Sequence, residues 1–490
     1  MLPSWLPRPR DFLFVCIFAG CMLVGQRMLN IDSDLGRHLV LGTYIIDTGR
    51  IPARDILSST MPGEPRPPYE WLAQVVFAAA HKLLGLDGVV LLTSSVIAAA
   101  FMVVHVDTQG RSGAPLISLA LVIWAAAGSS LHWLTRPHVF SYLFLALWLD
   151  LLERLRLGRP QSVWQLPLLM LLWANFHGGF VIGFLAWGAY AVGWAVERWR
   201  KSAPAKIGSR LLLAGTASLA ASVATPDLWN NWIAIFRNSS PYVLARTAET
   251  MPMDLGSPSN WPFVGLLALG LLLAFLNGSS IKPAHGLLLL GLAALGLAIA
   301  RNIPLFCLGA VPILASWSRQ IMGNESRIAR LDGSISRIDA GLRSGVVWPL
   351  FAISTAAMLI GFPALTSHRR IYSYDPALFP VRAVDWVQAH PMEGQAFNDI
   401  NWGGYLLYRL WPEQRVFIDS QTDFYGEQFT RQYTEILGGT DGWQSQLQDH
   451  DVSWVMIIPT SPLADRLQRD AGWHVAYRDS MAVIFLRNPG

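Results

Sequence analysis

The sequence predicts an α-helical polytopic membrane protein with a small extramembrane α/β domain at its C-terminal end. Of its 490 residues, 52% are hydrophobic and only 14% are charged, whereas charged residues make up roughly 25% of soluble proteins. Apolar runs of membrane-spanning length recur up to residue 366. Beyond that point they give way to short strand-like and helix-like segments with ordinary charge.

Eleven apolar runs are long enough to cross a bilayer. They lie at about 11–29, 88–106, 114–132, 138–155, 162–177, 179–197, 209–226, 262–277, 284–300, 303–319 and 345–366. The segment 70–85 is also apolar, but it is short and contains His81 and Lys82. Eleven spans place the basic N-terminus and the basic loops 154–159, 197–206 and 319–343 together on the cytoplasmic side. We therefore expect 70–85 to be an amphipathic segment along the outer surface.

The charge and cysteine patterns narrow the class of protein further. The net charge is only +4, and the Lys and Arg residues fall in short loops between apolar runs. This distribution indicates membrane topology and argues against nucleic-acid binding. Cys16, Cys21 and Cys307 all lie in apolar runs, so no disulfide framework or cysteine metal site is predicted. The run 11–29 lacks a small-residue cleavage site, so we expect a retained first span.

Two domains are predicted. Residues 1–366 form a transmembrane module whose first outer loop is 30–87, and residues 367–490 form an α/β domain outside the membrane. In the second domain, strand-like and helix-like segments alternate, which predicts a mostly parallel sheet. The strand-like segments are 395–398, 415–418, 452–458 and 482–486, and the helix-like ones are 380–389, 425–437 and 462–471.

The first outer loop opens with an unusual concentration of charge. Asp32, Asp34, Arg37 and His38 follow directly on the first apolar run, at the membrane surface. Carboxylates one residue apart can jointly hold a divalent cation such as Mg²⁺ or Mn²⁺, or one can act as a general base while the other orients it. The alternative is a solvated helix end with Asp as N-cap. Glu70, at the end of the loop, is a further candidate, and its alternative role is to start a surface helix.

Polar residues also stand at the predicted outer ends of several later spans. They are Arg136, His138, Asn175, His177, Arg301 and Asn302. A guanidinium at such a place suits a phosphate group, because its planar fork matches phosphate oxygens. The alternative for Arg136 and Arg301 is snorkelling at a helix end. For Asn175 and His177 it is capping of the tight turn at Gly178-Gly179.

The C-terminal tail carries two motifs with acidic and amide residues at the ends of predicted strands. They are Phe397-Asn398-Asp399-Ile400-Asn401-Trp402-Gly403-Gly404 and Val416-Phe417-Ile418-Asp419-Ser420-Gln421-Thr422-Asp423. The carboxyl ends of strands are where α/β sheets bind ligands. The alternative is that Asn, Asp and Gly serve the turns themselves.

The pattern resembles the GT-C glycosyltransferases, integral-membrane enzymes that take sugars from polyprenyl-phosphate carriers. In that family an Asp, often in an Asp-x-Asp pair, opens the first outer loop, as Asp32-Ser33-Asp34 does here. An outer turn with Arg follows the third helix, where Leu134-Thr135-Arg136-Pro137-His138 stands. A lone Arg at the outer end of a helix meets the carrier phosphate, and Arg301-Asn302 fits that place. Together with the tail motifs, the pattern resembles a bacterial subgroup.

One further motif resembles part of this family. Thr247-Ala248-Glu249-Thr250 is similar to a short Glu-containing acceptor motif of the oligosaccharyltransferase catalytic subunit, which makes Glu249 a candidate substrate residue. The Trp-Trp-Asp signature of that subunit is absent from the tail, so protein N-glycosylation is not expected.

The resemblance implies an inverting transferase at the outer face of a bacterial inner membrane, with the N-terminus cytoplasmic. The donor would be a polyprenyl-phosphate-linked sugar and the acceptor a glycan, lipid or protein. Asp34 or Asp32 would be the base, and Arg136 and Arg301 would bind the phosphate. The other implied substrate residues are Arg37, His38, Glu70, His138, Asn175, His177, Glu249 and Asn302.

Two non-enzymatic alternatives are a transporter or flippase for lipid-linked sugars and a scaffold for envelope assembly. Transporters usually show paired repeats and charges near the bilayer midplane. Here no repeat is evident, and the predicted polar residues gather at one membrane surface, which favours an enzyme. We expect the acidic loop and the distant Arg and His residues to share one outer cavity.

Overall fold

The computed structural model describes residues 5–237, 242, 251–322, 327–367 and 370–489. The helices in this part of the chain are α1 (Pro9–Leu23), α2 (Gly25–Asn30), α3 (Leu35–Thr48), α4 (Trp71–Leu84), α5 (Leu86–Ser112), α6 (Pro115–Ser129), α7 (His138–Arg156), α8 (Ser162–Phe176), α9 (Phe180–Trp199), α10 (Ala205–Val223), α11 (Asn230–Arg237), α12 (Trp261–Asn277), α13 (Pro283–Ala298), α14 (Ile303–Ile321), α15 (Arg327–Ala340), α16 (Val347–Ser367), α17 (Val381–Ala389), α18 (Gly403–Leu410), α19 (Thr422–Leu437), α20 (Trp443–Asp449) and α21 (Pro462–Arg469). The strands are β1 (Gln395–Asn398), β2 (Val452–Ile457), β3 (Trp473–Arg478) and β4 (Val483–Arg487).

The chain forms two compact units. We call the first the helical unit; it comprises Met1–Gly25, Val90–Leu228 and Thr247–Arg369. We call the second the mixed unit; it comprises Gln26–Val89, Trp229–Arg246 and Arg370–Gly490. The first outer loop thus belongs to the same unit as the C-terminal α/β domain. The predicted domain boundary near residue 366 stays a prediction.

The predicted membrane-spanning runs all coincide with helices. By length and composition, five helical segments in the described part of the chain can cross a membrane: Leu86–Ser112, Pro115–His132, Phe180–Trp199, Pro258–Ser280 and Ala300–Ile321. Shorter apolar helices include Ser162–Phe176, Pro283–Ala298 and Val347–Phe362. The predicted fold class, a polytopic helical membrane protein with a C-terminal α/β domain, is confirmed. Helix α4 occupies the predicted amphipathic segment 70–85, and its placement along the outer surface stays a prediction.

A buried ionic cluster joins four helices of the helical unit. Glu153 on α7 lies 2.5 Å from Arg156, 3.4 Å from Arg111 on α5 and 3.1 Å from His285 on α13. It also accepts a hydrogen bond from the Tyr190 hydroxyl on α9. Arg111 also holds Asp107 at 2.6 Å. Buried charges are tolerated when they are paired in this way. The cluster therefore ties the ends of these helices to one another.

The sheet of the mixed unit has the strand order β1-β2-β4-β3. Strands β1 and β2 are parallel, whereas β2 with β4 and β3 with β4 are antiparallel. The expectation of a mostly parallel sheet is therefore wrong. The reason is β3, a largely exposed strand that was not among the predicted ones. It turns directly into β4 as a hairpin, which is antiparallel by construction.

The predicted strand 415–418 is not part of this sheet. Val416 instead forms a parallel bridge with Ser58 of the first outer loop. Its amide donates to the Leu57 carbonyl at 3.1 Å, and its carbonyl accepts the Ser59 amide at 2.9 Å. This bridge joins the loop to the α/β domain within the mixed unit.

Candidate functional site

A buried polar network in the mixed unit connects the first outer loop with the segment after Val416. The Asp34 carboxylate lies at the start of α3, 3.0 Å from the Arg37 guanidinium one helical turn later. The Ser420 hydroxyl donates to the same Asp34 oxygen. A second Arg37 nitrogen donates to the Gln421 side-chain oxygen at 3.1 Å. Asp34 and Arg37 are 4% and 5% exposed, so this charge pair is almost fully removed from water.

Arg66 forms the second centre of the network. Its guanidinium lies 2.5 Å from Asp55 and 2.9 Å from Asp419, and it donates to the Gln421 oxygen at 2.7 Å. It also lies 4.4 Å above the centre of the Phe424 ring, a cation–π distance. The Gln421 amide oxygen therefore accepts hydrogen bonds from both buried arginines and links the two centres.

The local sequence explains why these side chains meet. Asp34 and Arg37 are three residues apart, so they share one face at the start of α3. Asp419 follows the bridge at Val416, and its carboxylate accepts the Gln421 backbone amide at 2.8 Å, an Asx turn that reverses the chain. This turn directs residues 419–421 toward the loop arginines.

An open cleft of about 410 Å³, including its mouth, lies beside the network within the mixed unit. It is lined by Arg37, Leu41, Pro52, Arg54, Ile56, Arg66, Pro67, Pro68, Tyr69, Glu70, Gln74 and Gln421. Guanidinium, carboxylate, amide and phenol groups thus alternate with flat proline and aliphatic surfaces. Such a lining suits a polar ligand with several hydroxyl groups.

The predicted residues His38 and Glu70 meet at one wall of this cleft. A Glu70 carboxylate oxygen lies 3.8 Å from His38 Nδ1, and Gln74 approaches the same nitrogen at 3.4 Å. Glu70 and Gln74 line the cleft, whereas His38 is buried behind them. His38 is thus a close neighbour of Glu70.

Tyr69 connects the cleft with Asp423 on α19. The Tyr69 hydroxyl donates to Asp423 at 3.2 Å and accepts from the Gln421 amide at 3.3 Å. Burial raises the pKa of the Asp423 carboxyl, and the nearby charge of Arg37 offsets this only in part. Burial likewise raises the pKa of the Tyr69 phenol. Both groups are therefore shifted toward their protonated forms.

Among the described residues, the side chains around Asp32 and Asp34 do not form a metal site. In the part of the chain that the structure describes, no group of three or more His, Cys, Asp or Glu side chains is arranged to hold a metal ion. One Asp34 oxygen already interacts with Arg37 and Ser420, and an Asp32 oxygen faces the Asp34 backbone amide at 3.4 Å. A guanidinium beside Asp34 also disfavours a second cation there. This donor set does not fit Mg²⁺ or Mn²⁺ at Asp32 and Asp34.

A second polar cluster lies in the helical unit around His177. The His138 and His177 rings lie 6.5 Å apart between centroids, and Arg136 and Arg301 are both close enough for their charges to act on His177. The Gly179 amide donates to His177 Nδ1 at 3.0 Å, and Ser141 Oγ lies 2.8 Å from the same atom. Since Nδ1 accepts a hydrogen bond, a neutral His177 carries its proton on Nε2.

Asn175 and Asn302 make mainly backbone contacts. The Asn175 amide donates to the carbonyls of Leu171 at 2.9 Å and Ala224 at 3.0 Å, and the Asn302 amide reaches the Leu295 carbonyl at 3.5 Å. The Asn175 contacts favour the capping alternative for that residue. The part of Asn175 and Asn302 in substrate binding stays a prediction. Glu249 lies outside the described residues.

The predicted site residues thus fall into two groups, one in each unit. The mixed unit holds Asp32, Asp34, Arg37, His38 and Glu70, and the helical unit holds Arg136, His138, Asn175, His177, Arg301 and Asn302. That the two groups share one cavity stays a prediction. No local sequence pattern singles out Arg66, Ser141 or the partnership of Ser420 with Asp34. The tail motif that contains Ser420 was the available signal, whereas Arg66 stood in a proline-rich loop without a pattern.

No family model and no curated protein matches the sequence. The solved structures similar to the chain include two that were determined in their apo forms. The apo oligosaccharyltransferase from Archaeoglobus fulgidus shows 10% sequence identity and a TM-score of 0.59, over 99% of this chain and 75% of that chain. Apo ArnT from Cupriavidus metallidurans shows 12% identity and a TM-score of 0.52, over 98% of this chain and 99% of that chain. At these identities the likeness concerns the fold, and the chain has the fold of the GT-C glycosyltransferases.

Proposed function

We propose that the chain is a membrane glycosyltransferase that moves a sugar from a polyprenyl-phosphate-linked donor to an acceptor. The observation that carries this proposal is Asp34, a buried carboxylate fixed by Arg37 and Ser420 at the start of the first outer loop of a GT-C fold. A carboxylate that is oriented and kept ionised in this way is suited to accept a proton during a displacement.

In the proposed reaction, the acceptor oxygen attacks the anomeric carbon of the donor sugar. Its proton passes to Asp34 or, alternatively, to the neighbouring Asp32. The bond between the anomeric carbon and the phosphate oxygen breaks, and its electron pair leaves with the polyprenyl phosphate. A single displacement of this kind inverts the anomeric centre.

The cluster in the helical unit supplies groups for the carrier phosphate. Arg136 and Arg301 provide positive charge near His177, and the His177 Nε2 proton is an additional hydrogen-bond donor. Phosphate leaves with more negative charge than it had in the donor, so guanidinium contacts stabilise the departing group. We assign donor binding to these residues.

The cleft of the mixed unit is proposed to receive the acceptor. Tyr69, Glu70 and Gln74 offer a phenol, a carboxylate and an amide to hydroxyl groups, and Pro67 and Pro68 offer flat apolar faces. These groups suit contact with a hydroxyl group of a glycan, a lipid or a protein at the mouth of the cleft. We place the reaction at the outer face of a bacterial inner membrane, with the N-terminus cytoplasmic.

A donor panel tests this proposal. The purified protein is reconstituted in liposomes with radiolabelled polyprenyl-phosphate sugars, and free polyprenyl phosphate and released sugar are separated by chromatography. We expect at least one donor to be cleaved, slowly by water and faster when acceptor is present. Movement of intact labelled lipid across the bilayer without cleavage would instead support a flippase. An unchanged donor on both sides of the bilayer would support a scaffold and contradict the enzyme.

A further inference from the structure

The helix that begins at Asp34 is packed directly onto the C-terminal domain. A methyl group added to Gly36 on α3 would overlap the Gly404 carbonyl on α18, and one added to Gly404 would overlap the Ser33 carbonyl. The two backbones can therefore approach this closely only because both residues lack a side chain. The start of α3 is fixed in position by residues of the C-terminal domain.

The same domain supplies the polar groups that hold Asp34 and its partner. The Ser420 hydroxyl donates a hydrogen bond to Asp34, and the Gln421 side-chain oxygen accepts a hydrogen bond from Arg37 at 3.1 Å. Asp419, fully buried, lies 3.8 Å from Arg37. Three consecutive residues of one turn thus reach Asp34 and Arg37, more than a turn needs for its own conformation.

We propose that the C-terminal domain completes the catalytic centre, with Ser420 as the positioning residue that fixes the Asp34 carboxylate. The inference rests on the proposed role of Asp34 as proton acceptor. A hydrogen bond to the ionised form of a carboxyl group stabilises that form. Ser420 therefore keeps Asp34 ionised and aimed, and the α/β domain has a direct part in the reaction.

Several charged groups act on Asp34 besides this hydroxyl. Arg37 carries the opposite charge at 3.0 Å, Asp32 carries the same charge, and Asp423 is an acidic neighbour that burial shifts toward its neutral form. Asp419, Glu70 and Tyr69 act through Arg37. Replacing Ser420 leaves all these groups in place, so a change in the titration of Asp34 reports on the hydroxyl.

The pH dependence of sugar transfer tests this role in Ser420→Ala. The loss of a hydrogen bond to a carboxylate raises the pKa of that group by about one to two. The acid limb of the pH profile should therefore move upward by about one pH unit, with turnover recovering at high pH. Ser420→Thr keeps a hydroxyl and should restore the profile of the parent protein. Ser445→Ala is the matched control, because Ser445 is an exposed serine of the same domain that bonds a backbone carbonyl.

The outcomes separate this inference from the proposed function. Two results with active parent protein would overturn the inference. One is a pH profile that Ser420→Ala does not move. The other is an activity loss that is equal at every pH and is not rescued by Ser420→Thr. If the parent protein transfers no sugar, the proposed function fails. The contact is then tested by infrared difference titration of Asp34 against Asp34→Asn, where Ser420→Ala should raise the titration midpoint and an unchanged midpoint refutes the inference.

Helix α15 of the helical unit follows the apolar helix α14 in the chain and precedes the apolar helix α16. Its two acidic residues face the protein. Asp332 accepts the Leu116 backbone amide at the start of α6 at 2.7 Å, and Asp339 is held by two Arg8 nitrogens at 2.8 Å each. The polar side of α15 is therefore its docking side.

The apolar side chains of α15 lie next to the aspartates around the helix and are partly exposed. Ile328, Leu331 and Ile338 are 45%, 56% and 53% exposed. At 100° per residue these side chains form one stripe, and the exposed residues Arg327, Arg330 and Arg337 flank it on the side away from the aspartates. An apolar stripe with a basic flank, on a helix next to membrane-spanning ends, fits the headgroup region of a bilayer.

We infer that this stripe lies in the membrane surface and that its arginines bind anionic phospholipid. Apolar side chains that enter the headgroup region are shielded from water, and anionic headgroups attract each nearby arginine. The inference is independent of any enzymatic activity.

Spin-labelled lipids test it on the full-length protein in liposomes. The electron paramagnetic resonance spectrum gives the fraction of labelled lipid held at the protein surface. We expect the protein to prefer labelled phosphatidylglycerol to phosphatidylcholine, and to lose much of this preference when Arg327, Arg330 and Arg337 are all changed to Gln. The control triple variant changes Arg469, Arg478 and Arg487, which are exposed in the C-terminal domain. Equal preference in both triple variants would overturn the inference.

Discussion

Among single residues, Asp423 is the carboxylate of the buried network that burial shifts toward its protonated form. Its raised pKa has a clear physical origin, because desolvation outweighs the attraction of Arg37 and the hydrogen bond from Tyr69. The carboxylates of this network outnumber the guanidiniums of Arg37 and Arg66. Protonating Asp423 reduces that imbalance.

The pH dependence of stability follows from this shift. Because the pKa of Asp423 is raised in the folded protein, the folded state keeps this proton to higher pH than the unfolded state does, and stability falls as pH rises above the ordinary Asp range near about 4. Asp423→Asn removes the charge and keeps an acceptor for Tyr69. As pH rises, we expect the melting temperature of the variant to increase relative to that of the parent protein. The exposed Asp441→Asn should show no such trend, and a pH-independent difference for Asp423→Asn would contradict the argument.

Donor binding gives a second prediction for single residues. Arg136→Gln or Arg301→Gln should raise KM for the polyprenyl-phosphate sugar by about tenfold or more, since a charge-assisted hydrogen bond is worth about 1.5–3 kcal/mol. The exposed Arg159→Gln is the control with the same charge change. An unchanged KM in both site variants would show that these arginines only anchor helix ends.

For the secondary-structure elements, the contact between α3 and α18 is the most sensitive to substitution. Gly404→Ala places a methyl group against the Ser33 carbonyl, and the backbone cannot give way as a flexible side chain would. Overpacking of this kind costs about 1–3 kcal/mol. We expect a lower melting temperature and reduced sugar transfer. Gly188→Ala in α9 meets no atom within 4 Å and should leave both nearly unchanged; equal behaviour of the two variants would refute the close contact.

The elements also show what could be predicted from the sequence. Membrane-spanning runs are signals along a single segment, so their positions were predicted closely, and Asp34 with Arg37 follows from helical spacing. Arg66 and Gln421 lie 355 residues apart in the chain, and no local pattern links them. The segment 415–418 had a strand pattern, yet its partner is the first outer loop. Long-range pairing therefore decided both the sheet topology and the composition of the network.

At the level of the whole molecule, the ionic cluster around Glu153 holds helices that are far apart in the chain. Glu153→Gln leaves Arg111 and Arg156 without one of their carboxylates in a buried place. Breaking a buried pair in this way costs about 3–5 kcal/mol. We expect a marked fall in the melting temperature in detergent. The control Glu413→Gln is exposed and should be neutral; an equal effect of both changes would contradict the structural role of the cluster.

The buried polar network connects the first outer loop with the C-terminal domain within the mixed unit. Two solved structures with the GT-C fold match nearly the entire chain, although sequence identity is 10% and 12%. The mixed unit brings Asp34, Arg37 and Ser420 into contact across almost 400 residues of sequence. The proposed chemistry therefore depends on both ends of the chain.

Sugar transfer by Asp34→Asn, compared with Asp47→Asn, is the sharpest test of the role of Asp34 as the base. Asp47 lies on the same helix, but it is exposed and pairs with Lys82 at the surface. General-base catalysis is worth about 10²- to 10⁴-fold, so Asp34→Asn should lose transfer to that extent while it is inserted in the membrane and elutes like the parent protein. Asp47→Asn should remain active. Transfer that persists at the parental rate in Asp34→Asn, and in Asp32→Asn as well, would contradict the account.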